Sequence, residues 1–147
     1  MKKEHREILI KELSRRLPYN LLLKVHCYGD FYRYSRVTDD GQLFISNTRN
    51  SFQDDWHWIQ LRNTIIQPYL RSLSKMTKEE KEELEKYGFS FYGKTGVFDN
   101  INRGELIYID NKSIIDTINY LDSHYFDYNN LIKKGIALEA DEELYKL

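Results

Sequence analysis

The motif most specific for a reaction is Gly88-Phe89-Ser90-Phe91-Tyr92-Gly93-Lys94-Thr95, which fits the phosphate-binding pattern G-x-x-x-x-G-K-[ST]. Downstream, Leu106-Ile107-Tyr108-Ile109-Asp110 resembles the apolar strand that ends in a magnesium-associated Asp. That chemistry needs a buried strand before the loop and a helix after it, so that backbone N–H groups and a helix N-terminus surround the phosphates. Here a charged helical stretch precedes the loop, and Gly96-Val97-Phe98-Asp99-Asn100, which starts no helix, follows it. Three of the four variable positions are aromatic, bulky where backbone should wrap phosphate, and only 52 residues remain after Thr95. The segment reads as an aromatic turn. A nucleotide-binding enzyme built on a degenerate P-loop is the weakest functional alternative.

Other catalytic signatures fare no better. His5, His26, His57 and His124 show no H-x-x-x-H or H-E-x-x-H spacing, and no cysteine pair accompanies them, so no metal or other cofactor is expected. There is no G-x-S-x-G elbow to present a nucleophilic serine. The pairs Asp39-Asp40 and Asp54-Asp55 stand beside turn residues, where Asp is favoured for its local backbone hydrogen bonds rather than for acid–base work. No catalytic residue is assigned, and the chain is expected not to be an enzyme.

A different chemistry is carried by Phe31-Tyr32-Arg33-Tyr34-Ser35-Arg36-Val37 and Trp56-His57-Trp58. Strand alternation would put Tyr32, Tyr34 and Arg36 on one face and Trp56 with Trp58 on one face of their own strand. Rings interleaved with arginines suit single-stranded nucleic acid, through base stacking and phosphate neutralisation. They equally suit protein interfaces, whose hot spots favour Trp, Tyr and Arg. A third reading makes the rings core, with the arginines reaching outward. The candidate partner-binding set is Tyr32, Arg33, Tyr34, Arg36, Trp56 and Trp58, extended by the downstream cations Arg62, Arg71 and Lys75.

The elements that must position these residues begin with a helix over 3–16, marked by Leu9, Leu13 and Leu17 and ended by Leu17-Pro18-Tyr19. Leu21 to Tyr28 and Phe31 to Val37 read as a hairpin, and Gln42 to Asn47 and Trp56 to Leu61 continue an antiparallel meander. Pro68 is expected to break the segment begun by Ile65-Ile66-Gln67. Thr77-Lys78-Glu79-Glu80 is a capping box that opens a charged helix to about Tyr87, with Leu84 and Tyr87 its packing contacts. An irregular aromatic stretch from Gly88 to Gly96 and a short strand at Glu105 to Asp110 follow. Ile114, Ile115, Ile118 and Leu121 predict a helix over Ser113 to Ser123, and Asp127 is expected to cap a last helix ending at Lys133-Lys134-Gly135. The order predicts a single α+β domain over residues 1–147, with an antiparallel or mixed sheet and helices packed on one face.

Composition limits the setting. A chain of 147 residues with 41% hydrophobic and 14% aromatic content, twelve Tyr among them, can build a core without a staple. The single cysteine, Cys27, lies in an apolar stretch, suits a reducing compartment and is expected to be a buried, inert thiol. Charges interrupt the N-terminus, so no signal-peptide core is expected, and no apolar run approaches the length of a membrane span. The net charge of −1 conceals an asymmetry: residues 1–76 carry net +5 and residues 77–147 net −6.

Leu17-Pro18-Tyr19, Val25-His26-Cys27-Tyr28-Gly29, the block from Ile66-Gln67-Pro68-Tyr69-Leu70-Arg71 through Met76-Thr77-Lys78-Glu79-Glu80, His124-Tyr125-Phe126-Asp127-Tyr128 and Leu131 to Ala140 share one more property. In that order they resemble a family of small proteins carried by phages and integrated elements of the Bacteroidetes group. The stretches Asp30 to Asn63 and Gly88 to Arg103 match least. The resemblance implies a bacterial cytoplasmic setting and no reaction. By analogy it implies an accessory protein that binds another macromolecule, most concretely an anti-CRISPR inhibitor of a CRISPR effector nuclease or its guide RNA complex. A single-stranded nucleic-acid-binding protein is the alternative.

Overall fold

A computed structural model describes residues 1–47, 56–87 and 114–146. Its helices are α1 (Lys3–Arg16), α2 (Lys78–Glu85) and α3 (Ile114–Ser123). Its strands are β1 (Leu23–Val25), β2 (Gly29–Val37), β3 (Gln42–Asn47), β4 (His57–Gln60), β5 (Ile66–Ser72), β6 (Phe126–Asp127) and β7 (Leu138–Glu139). The fold is α+β with a mixed seven-stranded sheet, ordered β4-β3-β2-β1-β5-β6 with β7 also on β5. The pairs from β4 through β1 to β5 are antiparallel, and β5 with β6 is parallel. Residues 48–55, the P-loop match Gly88–Thr95, the aromatic stretch ending at Gly96 and the strand expected at Glu105–Asp110 lie outside the described residues. Among the described residues no helix is long and apolar enough to cross a membrane. The chain divides into two compact units, Met1–Tyr69 with Ile136–Leu138 and Leu70–Gly135 with Glu139–Leu147.

In the first unit, α1 forms where the sequence places Leu9 and Leu13 one turn apart, and both are fully buried. Glu4 in its first turn and Arg15 and Arg16 in its last complement the helix dipole. Glu12 is buried as well, and it accepts from Arg15 Nη2 at 2.7 Å and Arg16 Nε at 2.9 Å. A 3-10 turn at Leu17–Tyr19, with Pro18 inside it, ends the helix. The Tyr34 hydroxyl donates to the Leu13 carbonyl at 2.7 Å, which ties α1 to β2. β2 and β3 are joined at Thr38–Gln42, where the Gly41 N–H donates to the Thr38 carbonyl at 3.0 Å. Gly41 has φ +86, a conformation that side chains with a Cβ rarely adopt.

Three expectations for this unit need correction. The first hairpin strand is shorter than the apolar run, because 26–28 turn back toward β2 and the Tyr28 N–H donates to the Val25 carbonyl at 2.9 Å. Cys27 in that turn is exposed, not buried. Pro68 does not break its segment: β5 runs straight through it, and Pro68 sits opposite Leu23. The neighbouring rungs are Tyr69 N–H to the Leu22 carbonyl at 2.9 Å and His26 N–H to the Ile65 carbonyl at 3.0 Å. Pro68 therefore occupies a non-hydrogen-bonded position toward β1, where a missing N–H costs no rung.

In the second unit the capping box is complete. Thr77 Oγ1 accepts from the Glu80 N–H at 3.2 Å, and Glu80 Oε1 accepts from the Thr77 N–H at 3.0 Å. Leu84 of α2 is buried with Leu73, Met76, Leu121 and Phe126, and Tyr87, Tyr120 and Tyr128 pack against that cluster. On α3 the expected stripe holds at Leu121, whereas Ile115 is 71% exposed. The expected last helix does not form: Asp127 belongs to β6, and 131–135 form turns. Asp127 does cap, with Oδ1 and Oδ2 accepting from the Leu131 and Ile132 N–H groups at 2.9 and 2.8 Å. Gly135 at φ +75 ends the segment before enough residues accumulate for a helix.

Candidate functional site

Alternation along the strands of the first unit sends Leu43, Ile45 and Ile59 inward and leaves Phe44 and Trp58 on the opposite face. Tyr32 and Tyr34 go inward too, with 7% and 5% of their surface exposed. This corrects the expectation that they flank Arg36 on one face. The register explains it, since Tyr34 pairs with Ile45 but Arg36 pairs with Phe44, a one-residue bulge that switches Arg36 to the outer side. Arg33, which pairs with the Phe44 side of β3 through Ser46, is exposed on that outer side.

The outer face carries a cluster that only part of the sequence reading anticipated. The Phe44 ring lies between two tryptophans, 5.4 Å from the Trp56 ring with 27° between planes and 5.0 Å from Trp58 at 34°. The Arg36 guanidinium stands 5.8 Å from the Phe44 ring centroid. Trp58 is 46% exposed and Trp56 half-buried. Arg62 is exposed in the turn after β4 and donates from Nε to Gln60 Oε1 at 2.7 Å. Among the described residues no carboxylate lies within salt-bridge distance of Arg33 or Arg36.

A second ring pair lies on the same outer face. Phe31 and Tyr69 stack at 5.4 Å with 28° between planes. The Tyr69 hydroxyl donates to Asp30 Oδ1 at 2.8 Å, and Lys24 Nζ lies 3.8 Å from the same oxygen. Burial and that carboxylate push the Tyr69 hydroxyl up to about 12, so it stays a neutral donor. The signal for Phe44 was present in the sequence, because Leu43-Phe44-Ile45 alternates in step with Trp58. For Phe31 and Tyr69 there was none, since their strands meet only through β1.

Arg71 and Lys75 belong to the second unit and are differently engaged. Arg71 donates from Nη1 and Nη2 to the two Glu80 carboxylate oxygens at 2.7 and 2.8 Å and lies 4.2 Å over the Phe126 ring. Lys75 pairs with Glu139 at 3.1 Å. With Thr77, Ala140, Glu142 and Lys146 they line a cavity of about 170 Å³. Within the described residues no three His, Cys, Asp or Glu side chains are grouped to hold a metal ion.

The outer face of the first unit thus offers the exposed Trp58 ring beside part-buried Phe44 and Trp56, side chains at Gln60 and Gln67, and cations at Arg33 and Arg36, with Lys24 paired to Asp30. No family model, no curated protein and no solved structure matches the chain.

Proposed function

We propose that the chain works by binding single-stranded nucleic acid on the outer face of β2, β3 and β4. The observation that carries this reading is Phe44 between Trp56 and Trp58 with the Arg36 guanidinium over it, open to solvent at Trp58. A base can stack on an exposed ring whatever its identity, and each such stack contributes about 1–3 kcal/mol. The cations on the same face supply the phosphate contacts.

Fluorescence anisotropy with a labelled ten-nucleotide oligouridylate tests it. Neutralising about two phosphates with Arg33 and Arg36 gives a slope of about −1.4 in log K against log salt. Trp58→Ala is expected to weaken binding about tenfold without changing the fold. No binding at 50 mM salt, or equal binding by Trp58→Ala, would reject the reading. The anti-CRISPR version is drawn from the phage-family resemblance, and it uses this same surface if the effector complex presents single-stranded guide RNA. Recovery of an effector that is lost on nuclease treatment would support it.

A further inference from the structure

We propose, building on that reading, that Phe31 and Tyr69 form a second stacking platform, and that a single strand of about five nucleotides crosses the sheet from Trp58 to Tyr69. The hydrogen-bonded order of the strands supplies the track. Trp58 on β4 and Phe44 on β3 come first, Arg33 and Arg36 on β2 and Lys24 on β1 follow, and Tyr69 on β5 closes the row. Rings thus stand at both ends, with Phe31 of β2 reaching the Tyr69 ring at the second.

Four strand spacings of about 4.8 Å separate β4 from β5, roughly 19 Å in all. A stacked strand rises about 3.4 Å per nucleotide, so about five or six nucleotides span the distance. Two bases would stack at the ends while the intervening phosphates pass over Arg36, Arg33 and Lys24.

The backbone at Phe31 gives independent support. Phe31 has φ +64, an outlier for a bulky residue, and it lies where the β1–β2 register shifts between Leu23 and Val25. Bulges of this kind re-aim a side chain, and strain of this kind persists where the surroundings over-determine it. Here the re-aimed ring stacks on Tyr69, both rings part-buried, and the Tyr69 ring is itself held by the hydroxyl bond to Asp30. A ring needed only for the core would have been served by a regular strand position facing inward, as at Tyr32 and Tyr34.

Oligouridylates of two to ten nucleotides, titrated against the full chain, distinguish the two platforms. Wild-type affinity should climb to a length of about five or six and then level off. Phe31→Gly removes the ring but suits the positive φ, so its thermal midpoint should hold or rise. Its affinity for the hexamer should nevertheless fall about tenfold. Tyr69→Leu should lose hexamer affinity in the same way, and Tyr69→Phe should retain it. If Phe31→Gly and Tyr69→Leu bind the hexamer like wild type while Trp58→Ala is weakened, the second platform is wrong and the first stands. A wild-type plateau at two or three nucleotides would likewise overturn the second platform and leave the first. If wild type binds no oligouridylate at any length, both readings fall.

Discussion

Among the described residues two arginines lie over phenylalanine rings, and they are held in opposite ways. Arg71 in the second unit sits 4.2 Å from the Phe126 ring, clamped by both oxygens of Glu80, with 24% of its side chain exposed. Arg36 in the first unit stands 5.8 Å from the Phe44 ring, exposed, beside two tryptophans and with no carboxylate at salt-bridge distance among the described residues. A satisfied, part-buried cation belongs to the architecture of its unit. An open one over a part-buried ring keeps its charge facing solvent. The same two residue types therefore stand in opposite settings, satisfied in one region and open in the other, and the difference lies in what surrounds them.

The largest effect that separates the two roles is expected among the rings. Tyr34→Ala should cost about 3 kcal/mol or more, because it empties a core position and leaves the Leu13 carbonyl without its donor. Trp58→Ala should stay within about 0.5 kcal/mol of wild type, as for other exposed positions. Urea midpoints measure both, and a Trp58 variant as unstable as the Tyr34 variant would erase the distinction between core and surface rings.

The arginines come next. Arg71→Ala should cost about 2 kcal/mol, less than the roughly 3–5 kcal/mol of a fully buried pair because part of the side chain meets solvent. Arg36→Ala should change stability by less than about 0.5 kcal/mol yet weaken oligonucleotide binding. Equal midpoints for the two variants would show that the Glu80 clamp contributes nothing.

Thr77→Ala should cost about 1 kcal/mol, since it removes one half of the capping box of α2. A matching substitution at exposed Thr or Ser outside a cap would serve as its control.

The smallest effect is in the pH dependence. Burial pushes the Glu80 carboxyl up, but the Arg71 guanidinium and the Thr77 N–H outweigh it and hold the group below its ordinary value of 4.5. A depressed carboxylate contributes stability that is present above its unfolded pKa and is lost as pH falls through its folded pKa. Acid titration of stability should therefore be shallower in Arg71→Ala than in wild type below pH 4.5, while Arg36→Ala should track wild type. An unchanged slope in Arg71→Ala would show that Glu80 is not the source of the acid sensitivity; Arg16 and Arg15 also hold Glu12 low, against its own burial.

What could be read directly from the chain follows a common physical logic. The helix at Lys3–Arg16, the strand at Gln42–Asn47 and the Thr77–Glu80 cap all depend on contacts within one or two turns, or on a strict alternation of side chains. Sequence therefore determines them by itself, and it also determined that the first half would be rich in rings and arginines. Which face each ring takes was not local information. One bulge between Tyr34 and Arg36 sends the tyrosines into the core and the arginine outward, and a bulge is a property of two paired strands. Pro68 persists within β5 because its partner strand asks nothing of its nitrogen. Asp127 capped as its type suggests, yet the chain turned at Gly135 before a helix could grow. Phe31 and Tyr69 are brought together only by the pairing of β1 with both of their strands. Short-range hydrogen bonding and periodicity are written in neighbouring residues, whereas register, bulges and cross-sheet contacts are set by partners far away in the chain, and those partners decided where the candidate surface lies.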